Sequence, residues 1–266
     1  MTIPRILAIA GSDSGGGAGI QADIKTITML GGHAMTAVTA ITAQNKLGVT
    51  QVLPVAVEMV LAQIEAVVSD IGVDAIKIGM IGSAEAAEAV ADALPAGVEV
   101  IFDPVMVATS GAVLADAPTI AAFERLMRRA TLVTPNLPEL ALLAGRDIAD
   151  ADALACAAEI LAARIGGAVL AKGGHLPGAA LVDVLVAADD RRLWRSERID
   201  TRHSHGTGCT LSSAIATGVG AGLPLAEAIE RGREFVRAAL LAAPGLGRGH
   251  GPMGHGLVRR RPVQPD

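Results

Sequence analysis

The chain is organised around HGTGCT at residues 205–210 and the small-residue run LSSAIATG at residues 211–218. Gly206 and Gly208 let the backbone turn tightly and approach a ligand closely. The small-residue run predicts a helix that packs against another element. A glycine loop that opens a helix points free N–H groups and the positive end of the helix dipole at one spot, which suits an anion. The alternative is a tight turn into a buried helix, with Cys209 as a small core residue.

Length and composition limit the class of protein. A chain of 266 residues, 51% of them hydrophobic, is long enough for a sizeable core, and no run of 18 purely apolar residues predicts a membrane span. The apolar run before residue 11 is too short for a signal peptide. A net charge of −5 and the absence of Tyr argue against nucleic acid as the main partner. Two cysteines make no disulfide framework, so the cytoplasm is the expected location.

Apolar runs that predict strands alternate with segments that predict helices. Strands are predicted at residues 6–10, 37–42, 75–78, 98–102, 132–134 and 168–171, and a hairpin at residues 181–187 and 193–199. Helices are predicted after residue 19 and at residues 57–69, 84–94, 120–129, 152–165, 211–218 and 225–242. This alternation predicts one α/β domain over residues 1–266, with a mostly parallel sheet covered on both faces. The tail at residues 257–266 is expected to be loose.

Polar residues follow several of the predicted strands. Gln44 and Asn45 end the second strand, where they face a ligand or simply form a polar exit from the strand. Asp103 directly follows a buried strand, which suits a metal ion or a phosphate-bound magnesium; a turn cap is the alternative. Lys172 precedes two glycines, which suits a phosphate.

Asn136 and Glu139 lie three residues apart at a predicted helix start. That spacing lets both side chains face one site. The alternative is an Asn cap with Glu139 near the positive end of the helix dipole.

The glycine-rich segment at residues 11–19 joins the first strand to the first helix, as in a ligand-binding βα turn. It lacks the Gly-Lys-Ser/Thr ending of a P-loop. Residues 17–22 match a relaxed dinucleotide fingerprint, which keeps an NAD-linked oxidoreductase as an alternative. Residues 35–43, however, carry no acid to bind the ribose, which counts against that alternative.

Taken together, these segments resemble the hydroxymethylpyrimidine/phosphomethylpyrimidine kinases of thiamine biosynthesis. The matching segments are GSDSGGGAGIQAD (11–23), VTAITAQN (38–45), KIGM (77–80), DPVM (103–106), PNLPE (135–139), KGGH (172–175), HGTGCT (205–210) and GRGHGPMGH (247–255). They occur in the family's order and cover nearly the whole chain. The resemblance implies a ribokinase-like, three-layer α/β/α fold. It also implies that the chain transfers the γ-phosphate of ATP, with Mg²⁺, to the hydroxymethyl group of the pyrimidine and then phosphorylates the monophosphate again.

The resemblance also implies roles for individual residues. The pyrimidine site would use Gly11, Asp23, Gln44, Met80 and the backbone at Val107. The ATP and phosphate positions would be Asp103, Asn136, Glu139 and Lys172. Of these, Asp103 and Glu139 would bind Mg²⁺, partly through water.

The resemblance places the chemical step at the glycine loop. Gly206, Thr207 and Gly208 would form an anion hole for the transferred phosphoryl group. Cys209 occupies the position of the catalytic base, and a helix N-terminus lowers the pKa of a thiol from its usual value of about 8.5. Only one GTGC segment is present, so one site is expected to carry out both phosphorylations. Phosphates are expected at residues 206–209 with Lys172, and at residues 11–19 near Asp23.

Two other readings of the resemblance stay open. A pyridoxal-type kinase has the same fold, although Gln44 and Met80 favour the pyrimidine. A non-catalytic binding protein on a kinase scaffold is disfavoured by the presence of all of Asp103, Glu139, Lys172 and Cys209. The family is commonly dimeric, so a homodimer is expected, with no membrane or nucleic-acid partner.

Overall fold

The structure is a computed structural model that describes residues 2–108 and 111–258. Most of the predicted tail at 257–266 therefore lies outside the described residues. The strands are β1 (Arg5–Asp13), β2 (His33–Gln44), β3 (Val49–Pro54), β4 (Ala75–Ile78), β5 (Glu99–Phe102), β6 (Leu132–Val133), β7 (Ala168–Lys172), β8 (Ala180–Val186) and β9 (Arg191–Glu197). The α-helices are α1 (Gly19–Met29), α2 (Val57–Asp70), α3 (Ala84–Ala93), α4 (Ala117–Arg129), α5 (Leu137–Ala144), α6 (Ala151–Ile165), α7 (Thr207–Gly220) and α8 (Leu225–Leu241). A 3₁₀ turn follows at His255–Leu257.

All the strands join one sheet in the order β3-β2-β1-β4-β5-β6-β7-β8-β9. The six strands from β2 to β7 in this order are parallel, and β3, β8 and β9 are antiparallel to their neighbours. The predicted mostly parallel sheet and the hairpin of β8 and β9 are therefore confirmed. The edge strand β3 was not predicted, because its residues are exposed and its strand conformation depends on pairing with β2.

The core lies in two layers, one on each face of the sheet. Residues of α2 to α6 pack on one face, where the rings of Phe102 and Phe123 meet edge to face with centroids 5.2 Å apart. Residues of α1, α7 and α8 pack on the other face around Ile6, Ile101 and Leu170. Within the described ranges, no helix has the length and apolar character needed to cross a membrane.

The parallel strands end at one edge of the sheet, which brings loops distant in sequence together. Among them, α7 begins above the ends of β4 and β5, against which it packs. The small residues of this helix are what allow the approach. For example, a Cβ on Gly220 would lie only 2.6 Å from the side chain of Ile6, so a glycine lets the helix come this close. Residues 211–218 are all buried within α7, which confirms the prediction of a closely packed helix.

The glycine- and histidine-rich segment near the C-terminus packs against α7. His255 is 2% exposed, and its Nε2 atom lies 2.8 Å from the hydroxyl of Thr210 in the first half of that helix. His255 is therefore a buried residue held by a hydrogen bond to α7. Burial lowers the pKa of His255 to about 4.

The buried His255 predicts a loss of stability in acid. In the unfolded chain this imidazole titrates near 6.5, so between pH 6.5 and 4 the unfolded state binds a proton that the folded state does not. The free energy of unfolding should therefore fall by about 3 kcal/mol as the pH is lowered through this window. Urea unfolding at pH 7 and pH 4 should show a smaller difference for His255→Gln than for the parent. His33→Gln, which changes an exposed histidine, should keep the parent's difference. If the free energy of unfolding fell by the same amount between pH 7 and pH 4 in all three proteins, the assignment would be contradicted.

Candidate active site

A cavity of about 1260 Å³ opens at the edge where the parallel strands end. It is large enough for two small molecules side by side, since sites for one ligand commonly enclose about 300–1,000 Å³. The predicted site residues that line it are Gly11, Gln44, Met80, Asp103, Val107, Asn136, Glu139, Lys172, Gly206, Thr207, Gly208 and Cys209. Asp23 is the one predicted site residue that the structure does not bring to the cavity.

The N-terminus of α7 points into the middle of this cavity. Gly206 caps the helix in the left-handed conformation, with φ of 87°, and a Cβ there would lie 1.9 Å from the carbonyl oxygen of Gly17. Only glycine fits this position without moving the backbone. The N–H groups of Gly208 and Cys209 lie in the first turn, where a helix offers no internal acceptor. The arrangement suits a bound anion, as predicted.

The thiol of Cys209 is in a different electrostatic state from the one predicted. Burial raises its pKa to about 11, and Asp23 and Asp103 raise it as well. Lys77 and the backbone N–H of Gly19 act in the opposite direction. The pKa of Cys209 therefore lies above its ordinary value and not below it, as the helix N-terminus alone predicted, because desolvation of a thiolate dominates.

Asp103 and Lys172 form an ion pair beside the helix N-terminus. The Nζ atom of Lys172 lies 2.8 Å from Asp103 Oδ1, which also accepts a hydrogen bond from Thr134. A Cβ on Gly208 would lie 3.1 Å from Asp103 Oδ2 and 3.2 Å from Lys172 Nζ. Glycine at this position thus lets the helix backbone approach both charged groups.

Asn136 and Glu139 form a complete capping box at the start of α5. The Asn136 side chain accepts from the Glu139 N–H, and Glu139 Oε2 accepts from the Asn136 N–H at 2.8 Å. Both still line the cavity, so capping and a role in the site are compatible. The pKa of Glu139 is raised to about 7, because burial and, to a smaller extent, Asp103 raise it more than Lys172 and the backbone N–H of Asn136 lower it.

The carboxylates of Asp103 and Glu139 fit a magnesium ion that is shared with a nucleotide. Mg²⁺ in such sites takes one or two carboxylates and completes its coordination with water and phosphate oxygens. In residues 2–108 and 111–258, no cluster of three or more His, Cys, Asp and Glu side chains is placed to hold a metal alone. A cation beside Glu139 would offset the burial that raises its pKa.

Gln44 and its neighbours form part of the cavity wall. The amide oxygen of Gln44 accepts from the hydroxyl of Thr42 at 3.1 Å, and its nitrogen lies 3.3 Å from Nε2 of His205. The hydrogen bond from Thr42 holds the amide at the cavity wall. A Cβ on Gly11 would lie 3.1 Å from the sulfur of Met80, so glycine lets the two residues lie side by side.

The carboxylate of Asp13 occupies the glycine loop of residues 11–19. Asp13 accepts hydrogen bonds from the N–H groups of Gly15, Gly17 and Ala18 at 2.7–2.9 Å, and it pairs with His205 at 2.9 Å. Although burial alone raises the pKa of Asp13, these contacts lower it to about 2. The expectation that this loop receives a phosphate is therefore contradicted, because these three donors already hold a carboxylate of the chain.

Asp23 lies beneath the cavity and is completely buried. Both of its oxygens contact the ammonium group of Lys77, at 2.9 and 3.0 Å, and Oδ1 accepts a hydrogen bond from Ser213 at 2.7 Å. This arrangement differs from the expected contact with a pyrimidine. Lys77 had no predicted role in the site. A lysine inside the apolar strand AIKI nevertheless indicates a buried ion pair, because lysine is almost never fully buried unless it is paired.

Comparisons with known proteins assign the chain to one protein family. A family model described as phosphomethylpyrimidine kinase matches residues 13–254. A hydroxymethylpyrimidine/phosphomethylpyrimidine kinase of Rhizobium meliloti is 49% identical and aligns over 94% of this chain and 96% of its own length. A thiamine biosynthesis bifunctional protein of Geobacter sulfurreducens is 47% identical over 95% of this chain, which spans 52% of that protein. The Bacillus subtilis pyridoxal kinase, solved as an ADP complex, has a TM-score of 0.87 and 35% identity over 96% of this chain and 98% of its own.

Proposed function

The chain belongs to the phosphomethylpyrimidine kinase family, and from this premise we infer that it is an ATP-dependent kinase of thiamine biosynthesis. It phosphorylates 4-amino-5-hydroxymethyl-2-methylpyrimidine to the monophosphate and then to the diphosphate. One observation in the structure carries the proposal for the site. The N-terminus of α7 lies between the ion pair of Asp103 and Lys172 and the fixed amide of Gln44, all within one cavity.

The two ends of the cavity suit two different ligands. Gln44, Gly11 and Met80 form one end, where an amide both donates to and accepts from a heteroaromatic ring. Lys172 and Glu139 lie toward the other end, where the phosphates of ATP would meet the ammonium group. The reacting oxygen of the pyrimidine then lies near Cys209, at the first turn of α7. This order of groups supports transfer along the cavity, from the nucleotide end to the pyrimidine end.

The chain's own residues supply four parts of the transfer. The first-turn N–H groups of α7 stabilise the charge on the transferred phosphoryl group. Cys209 must act as a thiolate, which accepts the proton of the hydroxymethyl group as its oxygen attacks the γ-phosphorus and ADP leaves. Asp103 and Glu139 would hold Mg²⁺, which would neutralise phosphate charge there. Lys172, held by Asp103, orients the nucleotide phosphates.

A direct assay tests the proposed activity. The purified chain is mixed with ATP, Mg²⁺ and the hydroxymethylpyrimidine, and the products are separated by chromatography and identified by mass. Successive appearance of the monophosphate and the diphosphate is expected. ADP formation without either product would contradict the proposal, and omission of Mg²⁺ should abolish both steps.

Replacing Gln44 by Ala should weaken pyrimidine binding selectively. The change leaves polar groups of the ring unpaired, which costs about 1–3 kcal/mol, or a factor of roughly 5 to 150 in Kd. Calorimetric titration with the pyrimidine and with ATP measures both effects. The neighbouring Asn45→Ala removes an exposed amide that bonds only within its own turn, and it should leave both affinities unchanged. An equal loss for the two ligands in Gln44→Ala would contradict the assignment.

A pyridoxal-type activity is the second candidate function. The observation that favours it is the similarity over almost the full length to the Bacillus subtilis pyridoxal kinase. Substituting pyridoxal for the pyrimidine in the same assay decides between one and two substrate classes. A kcat/KM for pyridoxal within about tenfold of that for the pyrimidine would establish the second class.

We also propose a homodimer that forms through the edge of the sheet at β2 and β3. The cytoplasmic location stays a prediction. Ile41, Val52 and Leu53 expose 52%, 42% and 65% of their surfaces on these two neighbouring strands. Exposed apolar patches of this kind commonly mark interfaces. Light scattering should give twice the 26.8 kDa chain mass for the parent and a monomer for Leu53→Glu. A monomeric parent would contradict the proposal.

A further inference from the structure

Lys77 is a fully buried cation in the middle of the sheet. All four residues of β4 are buried, and the side chain of Lys77 is 0% exposed. An ammonium group in such a place is unfavourable unless it is paired and hydrogen-bonded. Asp23 provides the pairing with both carboxylate oxygens, and Ser213 donates a third hydrogen bond to that carboxylate. Gly79 leaves the necessary space, since a Cβ there would lie 2.7 Å from Lys77 Nζ.

This ion pair lies one helical turn from the reaction centre. Gly19 and Asp23 are four residues apart on α1, and Cys209 and Ser213 are four residues apart on α7, so each pair spans about one turn. Ser213 donates a hydrogen bond to Asp23 at 2.7 Å, and α1 packs against α7. Gly19 and Cys209 therefore define one level of this packed pair, and Asp23 and Ser213 define a second level one turn further along. Cys209 occupies the upper level, and the ion pair with Lys77 occupies the lower one.

The charged groups around the thiol come from four elements. Lys77 faces it from β4, Asp23 from α1, Asp103 from the end of β5, and Lys172 from the end of β7. Lys172 is paired with Asp103 at 2.8 Å, and Lys77 is likewise paired with Asp23 at 2.9 Å. Lys77 is the strongest of the groups that oppose burial and lower the pKa of Cys209. Burial alone would lower the pKa of Lys77, but Asp23, Cys209 and Asp103 outweigh it, so its pKa is raised and it stays charged.

We propose that Lys77 is a positioning residue whose buried ammonium group, held by Asp23 beneath the first turn of α7, supplies the positive charge that allows Cys209 to form a thiolate. Asp23 has the complementary role of holding that ammonium in place while limiting the charge that reaches the thiol. The proposal deepens the proposed function, because it rests on Cys209 as the base of the phosphoryl transfer. It also gives Asp23 a role in the site without contact with the pyrimidine.

Alkylation of Cys209 by iodoacetamide measures the charge at the thiol directly. The parent for this experiment carries Cys156→Ala, so that Cys209 is its only cysteine. The rate is followed against pH in the absence of nucleotide and pyrimidine, with Mg²⁺ omitted. Lys77→Met should shift the midpoint of the profile upward by about one pH unit or more, and Asp23→Asn should shift it downward. Ser213→Ala keeps both charges and should leave the midpoint within about half a unit of the parent.

A double variant keeps the test valid if Lys77→Met does not fold. Lys77→Met/Asp23→Asn removes both charges together, which buried pairs tolerate better than the loss of one partner. Its alkylation midpoint should also lie above that of the parent, and its kcat should fall by a factor of about ten or more with the KM for the pyrimidine little changed. If the ion pair had only a structural role, the alkylation midpoint would not move downward in Asp23→Asn and upward in the double variant. Midpoints within half a unit of the parent in both Asp23→Asn and the double variant would overturn the proposal.

The two proposals fail in different ways. If the shifts appear but the parent makes no phosphorylated pyrimidine, the proposed function falls and the electrostatic placement of Lys77 stands. If the parent is an active kinase and the shifts are absent, the role of Lys77 falls and the proposed function stands.

Discussion

Replacing Cys209 by Ala is expected to slow phosphorylation of the hydroxymethylpyrimidine by a factor of about 10²–10⁴. The hydroxymethyl group must lose its proton as its oxygen attacks. Cys209, which lies in the first turn of α7 and lines the cavity, can accept that proton as a thiolate. Pyrimidine and ATP affinities should change little, because the alanine keeps the helix and its N–H groups. Steady-state kinetics with the alcohol as substrate measure the effect as a loss in kcat.

The second phosphorylation provides an internal comparison for the same variant. The acceptor is then a phosphate oxygen, which is already largely ionised at pH 7 because its second pKa is about 6. A base is not needed for that step, so Cys209→Ala should slow it much less than the first. Cys156→Ala makes the same chemical change in α6, away from the cavity lining, and should leave both steps unchanged. If Cys209→Ala turned the alcohol over within a few-fold of the parent, the thiol would not be the base.

Replacing Gly206 by Ala is expected to lower kcat by a factor of about 10²–10³, the usual effect of losing one donor of an anion hole. The residue has φ of 87°, and its new Cβ would lie 1.9 Å from the carbonyl oxygen of Gly17. Gly17 cannot easily retreat, because its own N–H is bonded to the buried Asp13. The first turn of α7 must therefore move, and the N–H groups of Gly208 and Cys209 move with it. Stability should fall as well, since the left-handed conformation alone costs about 1–2 kcal/mol for a residue with a Cβ.

Gly222 provides the matched control just past the other end of α7. It has φ of 85°, yet a Cβ there would meet nothing within 4 Å. Gly222→Ala should show only the conformational cost, as a Tm a few degrees lower with kcat unchanged. Parallel thermal melts and kinetics of the two variants separate strain from displacement of the helix. Identical behaviour of the two variants would mean that the close contact with Gly17 has no part in catalysis.

The sequence by itself determined most of the fold and most of the cavity lining. Alternating apolar runs placed every strand except β3, which has little burial of its own and depends on β2 for its pairing. Gln44, Asp103 and Lys172 could be assigned to the site because parallel strands end at a common edge, and each follows such a strand. Local patterns report on these features because periodicity and strand ends are local properties of the chain.

The tertiary structure alone decided how charges are distributed in the site. Asp13, not an external phosphate, takes the donors of the first glycine loop, and Asp23 pairs with Lys77 beneath the cavity. Burial raises the pKa of Cys209 to about 11, whereas its place at a helix N-terminus predicted the opposite direction. Pairing and desolvation depend on which groups the fold brings within a few ångströms and on how much water it excludes there. Neither quantity is encoded in the spacing of residues along the chain.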